Sequence, residues 1–98
     1  MHNSMKAATD KLSIALRAIA DPTRRKILRL LRGKPASKGL CASDVEQRIK
    51  LAQPTVSHHM KVLHQAGLVE TTKAGTWVFY KRHEASLRRV RAALNEEV

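Results

Sequence analysis

The sequence predicts a mainly α domain with one small β-hairpin, an α+β chain of order α-α-α-α-β-β-α. Three observations predict it. Apolar residues fill 43% of the 98 positions but aromatics only 3%, so the core must be built from Leu, Ile, Val and Ala. Apolar positions recur at helical spacing along most of the chain. The three aromatics, Trp77, Phe79 and Tyr80, fall together in the one stretch whose period drops to two.

Residues 1–8 carry no periodicity and read as a flexible N-terminal lead, leaving residues 9–98 as a single domain. From Lys11 to Ala20, Leu12, Ala15, Leu16 and Ile19 mark a first helix. A second follows at once: Asp21 can cap it, Pro22 suits its first position, and Gly33 ends it. Ile27, Leu28, Leu30 and Leu31 are its apolar side. After a loop over Gly33–Gly39, the Ser-x-x-Glu spacing of Ser43 and Glu46 predicts a capping box and a short third helix. The fourth starts near Gln53–Pro54 and stops at Gly67. "LVETTKAGTWVFYKR" then reads as a hairpin turning near Lys73–Gly75, with Trp77 and Phe79 on one face and packed inward. A last helix carries Leu87, Val90 and Leu94 in one stripe. Four helices, a hairpin and a helix make the plan of a winged helix-turn-helix.

Charge narrows the partners. The chain has 19 Lys+Arg against 8 Asp+Glu, a formal net charge of +11, which favours an anionic partner. No apolar run approaches the roughly 20 residues of a membrane span, and the N-terminus lacks a signal peptide's apolar region. The single cysteine, Cys41, cannot form an intrachain disulfide and fits a reducing compartment. A cytoplasmic protein is the expectation. With no nucleophile–base pair, no Gly-rich phosphate loop and no paired carboxylates in an apolar setting, neither an enzyme nor a cofactor is expected.

The fourth helix holds three of the five histidines, and its wheel separates them. Val56, Met60, Leu63 and, more loosely, His59 point to one side; Ser57, His58, Lys61 and Gln65 point to the other. His59 is expected to pack and His58 to be exposed. His58 and His64 stand six apart and His59 and His64 five apart, so none of these pairs has the i, i+3 or i, i+4 spacing of an intrahelical metal site. No metal is expected. The exposed face suits a major groove instead: Gln53, Thr55, Ser57 and His58 can donate to and accept from base edges. Lys61, Lys73 and Arg82, with Arg24 and Arg25, are candidate phosphate contacts. Double-stranded DNA is thus the expected partner. A small basic RNA-binding protein is the alternative, although single-strand readers usually offer exposed stacking aromatics.

At these residues the chain resembles the ArsR (ArsR/SmtB) family of bacterial winged-helix regulators. "IADPTRRKILRLL" (Ile19–Leu31), "LAQPTVSHHMKVLHQAGLV" (Leu51–Val69) and "GTWVFY" (Gly75–Tyr80) carry the resemblance in order. It implies a homodimer joined through the first and last helices, with Leu12, Leu16, Leu87, Val90 and Leu94 as candidate interface residues. It also implies an operator that is released on a signal; two reading helices related by a twofold make that operator an inverted repeat. His59 stands at the family's own histidine and His58 at a variable position facing DNA.

Departures from the family pattern fall on its sensors. Metal-sensing members place two thiolates in the third helix; here "GLCASDV" keeps Cys41 and Asp44 but has Ser43 at the second, and serine is a poor soft-metal ligand. The last-helix metal positions hold Glu84, Ser86 and Glu97. Cys41 has two readings, a small buried hydrophobe or a redox sensor. Ala52 replaces the usual Ser cap of the fourth helix, at about 1 kcal/mol unless Gln53 or Thr55 compensates.

Overall fold

A computed structural model describes residues 10–33 and 39–98. The N-terminal lead expected over 1–8 lies outside the described residues, as does the interior of the Gly33–Gly39 loop.

Helices α1 (Lys11–Ile19) and α2 (Pro22–Leu31) form where the caps direct them. Asp10 accepts the Ser13 N–H at 2.7 Å, and Asp21 accepts that of Arg24 at 2.9 Å. The next element departs from expectation. Leu40–Cys41 is a short strand, β1, and α3 (Ala42–Ile49) follows it directly. The observed order is therefore α-α-β-α-α-β-β-α. Pairing of Leu40 with Tyr80 and Cys41 with Phe79 draws the backbone straight up to Cys41, so the helix starts there and not at Ser43. The cap is accordingly Cys41 with Asp44 in place of Ser43 with Glu46: the Asp44 carboxylate accepts the Cys41 N–H at 3.3 Å and its thiol at 3.1 Å. Gly39 is needed beside this strand. Its φ is +83°, and a Cβ there would collide with the carbonyl of Tyr80.

A tight turn, Lys50–Leu51–Ala52, joins α3 to α4 (Gln53–Gln65), with Lys50 left-handed at φ 63°. Strands β2 (Val69–Ala74) and β3 (Trp77–Arg82) make the hairpin, and α5 (Glu84–Glu97) closes the chain. The hairpin turn is Gly75–Thr76, slightly later than expected, since Ala74 pairs with Trp77. Gly75 supplies the positive φ (62°) that a two-residue turn of this twist requires. The sheet order is β1-β3-β2.

Ile27, Val45, Val56, Met60, Leu63 and Leu68 form the fully buried centre, drawn from α2, α3, α4 and the approach to β2. Of the sheet, the face of Leu40, Tyr80 and Val69 packs onto this core. Trp77 and Phe79 do share a face, as alternation demands, but register places it opposite Tyr80. Trp77 is 58% exposed, which corrects the expectation of inward packing.

Candidate nucleic-acid interface

Helix α4 owes its orientation to one apolar stripe. Val56, Met60 and Leu63 recur every three or four residues and are wholly buried. Burying them fixes which side chains face outward: Gln53, Thr55, Ser57, His58, Lys61 and Gln65 are all exposed. The base-edge candidates Gln53, Thr55, Ser57 and His58 are thereby brought together on one solvent-facing surface. Gln53 Nε2 donates to Ser57 Oγ at 3.0 Å, so two of them are already oriented by each other. No side chain caps the start of α4, where Ala52 holds the N-cap position. Gln53 is engaged with Ser57 and does not compensate.

The two adjacent histidines are separated as the wheel requires. His58 is exposed. The His59 side chain is only 13% exposed, with Nδ1 at 3.1 Å from Arg24 Nη1 and 3.9 Å from Asp21 Oδ2. Burial, chiefly, lowers the His59 pKa below its ordinary 6.5; Asp21 pulls it back up, while Arg24 and His58 lower it further. The Asp21 pKa is lowered mainly by the Arg24 N–H bond to its carboxylate.

The candidate phosphate contacts divide. Lys61 and Lys73 project into solvent from α4 and the wing. Arg25 is exposed while its Nη1 donates to the carbonyl of Ile19 at 2.6 Å. Arg24 and Arg82 are occupied within the fold. Arg24 Nε donates to the Ala18 carbonyl at 2.6 Å. Arg82 Nη1 donates to the Leu28 carbonyl at 3.3 Å, and its Nε, buried, pairs with Glu84 Oε2 at 2.9 Å without hydrogen-bond alignment. Both are thus placed to hold helices together. Two exposed cations beside the turn into α4, Arg48 and Lys50, were not singled out from the sequence. Their closeness to α4 in the chain was the available signal.

The remaining candidates lie elsewhere. Leu87 is buried in the chain's own core; Leu12, Leu16, Val90 and Leu94 are half-buried. Between α1 and α5 lies an open cleft of about 450 Å³, lined in part by Leu12, Ile14, Arg89, Val90 and Ala93. Ile14 is exposed there and escaped the sequence reading because it sits off the main α1 stripe. Cys41 is buried in β1, paired beside Phe79 of β3, its Sγ also 3.2 Å from Ser43 Oγ. Among the described residues no three His, Cys, Asp or Glu side chains converge as a metal site, and no helix is long and apolar enough to cross a membrane.

Known proteins supply a context for this surface. Residues 21–71 match the family model described as bacterial regulatory protein, arsR family. An uncharacterised helix-turn-helix transcriptional regulator of Methanocaldococcus jannaschii is 42% identical over 72 residues, covering 72% of this chain and 76% of that protein. The arsenical resistance operon repressor of Staphylococcus xylosus is 41% identical over 75 residues, covering 76% and 68%. Among solved structures, the homodimeric winged helix-turn-helix DNA-binding domain from Mycobacterium bovis superposes with a TM-score of 0.71 at 25% identity, covering 95% of this chain and 86% of that one. These relatives are transcriptional regulators, and none supports the RNA-binding alternative.

Proposed function

The chain belongs to the ArsR family of bacterial regulatory proteins, and from that premise we propose that it acts as a homodimeric repressor on an inverted-repeat DNA operator. That it is a winged helix-turn-helix transcriptional regulator follows from the family and the fold. The finer reading rests on one observation: the exposed polar face of α4, held outward by a buried apolar stripe and followed by a basic wing.

In this reading α4 enters the major groove. Gln53, Thr55, Ser57 and His58 meet base edges, because amide, hydroxyl and imidazole groups both donate and accept there. Lys61 and Lys73, with Arg25, meet phosphates, a contact that positions the protein without specifying sequence. Arg24 and Arg82 hold the elements that carry these groups. Two copies joined across the α1–α5 cleft, through Leu12, Leu16, Val90 and Leu94, would set the reading helices about one helical turn, roughly 34 Å, apart. Repression ends when a signal disfavours that spacing. Cys41 serves as the cap of α3, and no metal or cofactor is part of the reading.

Selection of duplexes from a random library tests it. The expected product is an inverted repeat with half-sites one turn apart, bound by a species of twice the monomer mass. Enrichment of a lone half-site, or of no sequence at all, would overturn the proposal.

A further inference from the structure

The side chain of Arg24 joins three helices. It sits in the first turn of α2, where the Asp21 carboxylate fixes its backbone N–H at 2.9 Å. Its Nε and Nη2 donate to the carbonyls of Ala18 (2.6 Å) and Arg17 (3.3 Å), which are end groups that α1 itself leaves unpaired. Its Nη1 meets Nδ1 of His59, on α4, at 3.1 Å. A guanidinium can only donate, so Nδ1 must accept, and the ring must be neutral with its proton on Nε2.

We propose that Arg24 is a positioning residue that ties the reading helix α4 to the end of α1, and that the tie holds only while His59 is neutral. DNA affinity should then fall as this one imidazole is protonated. The inference rests on the DNA-reading function proposed above.

The planar donors of the guanidinium bind two α1 carbonyls on one side and α4 on the other, so one rigid group adds a polar tie to the apolar packing between those helices. Protonating His59 turns the acceptor into a donor and places two cations 3.1 Å apart. Asp21 Oδ2, 3.9 Å away, opposes this only in part. His58, with ring centroids 5.8 Å apart, is the other titratable neighbour. Among the described residues, the charged groups acting on the ring are Asp21, Arg24 and His58; α1, α3 and β2, also packed on α4, bring none to it. Burial already lowers the His59 pKa, so the stability linked to the ring is complete above pH 6.5 and declines as pH falls below that value.

The test uses fluorescence anisotropy with a selected duplex at constant ionic strength, from about pH 8 to about pH 4.5, carried below the ordinary histidine range because burial lowers the His59 pKa. The readout is the affinity of wild type divided by that of His59→Gln, so that every pH effect common to both proteins cancels. That ratio should fall about fivefold, the worth of one lost hydrogen bond, and should stay flat when both proteins also carry Arg24→Gln. A flat ratio with Arg24 present, or the same fall without it, overturns the tie. Imidazole NMR of the free wild-type protein adds a readout needing neither DNA nor a variant. The His59 proton should sit on Nε2 at neutral pH, and finding it on Nδ1 overturns the proposal. If wild type binds no duplex, the functional reading fails, while the NMR still decides the tie.

Discussion

Helices α4 and α5 are both amphipathic, yet the chain completes only one of them. The apolar stripe of α4 (Val56, Met60, Leu63) is buried wholly against α1, α2, α3 and β2. The stripe of α5 begins the same way, with Leu87 in the core, but Val90, which lines an open cleft, and Leu94 stay half-buried. The molecule is thus self-sufficient along α4 and not along α5. A helix whose apolar side is satisfied internally can offer a polar face without risk to the fold. In the dimer proposed above, a second copy would cover the apolar area that α5 leaves open, because water penalises such area.

The sharpest way to break that contrast is to damage each stripe in turn. Leu63→Ala should cost about 2–5 kcal/mol in urea unfolding, since no neighbour can collapse into a site closed on all sides. A loss well under 1 kcal/mol would mean that α4 is less firmly seated than its burial implies. Val90→Glu should act differently. The protein should still fold, but sedimentation should show monomers where wild type gives dimers, with DNA binding greatly weakened. A wild-type monomer at micromolar concentration would remove the contrast altogether.

Smaller changes probe the outward side of α4. His58→Ala should leave thermal stability unchanged while weakening operator binding by about 1–3 kcal/mol and relaxing sequence preference, as measured on permuted operators. Equal loss on every sequence would make His58 a phosphate contact. Ala52→Ser should add about 1 kcal/mol to stability by supplying the missing acceptor at the start of α4. Cys41→Ser should change least. Serine is itself a favoured N-cap residue, so a variant that folds, binds DNA and answers peroxide like wild type is expected. A variant that binds DNA yet is no longer released by oxidant would assign the thiol a sensing role.

Much of this was legible because the relevant forces are local. Helix starts at Asp21 and near Gln53, the stop at Gly67, and the opposite faces of His58 and His59 all follow from capping chemistry and a period of 3.6 residues. Strand β1 was not legible. Two residues, Leu40 and Cys41, are too few to show a period, and they become a strand only because β3 offers them a partner. The same pairing moved the α3 cap from Ser43 to Cys41. For Trp77 the alternation was correct, but a period of two names two faces without saying which meets the core. That choice belonged to Tyr80 and Val69.

Local sequence set the helices, the hairpin and the residue types on the outward face of α4, because those depend on neighbours within about four positions along the chain. Only the tertiary structure decided what each arginine does. Arg24, Arg25 and Arg82 look alike in a charge count. Yet Arg24 reaches Ala18 and, on another helix, His59, and Arg82 reaches Leu28 from 54 positions away, while Arg25 holds only the Ile19 carbonyl and stays exposed. A long flexible cation takes whichever acceptors the packing leaves unpaired, and those acceptors exist only once the helix ends have been brought together.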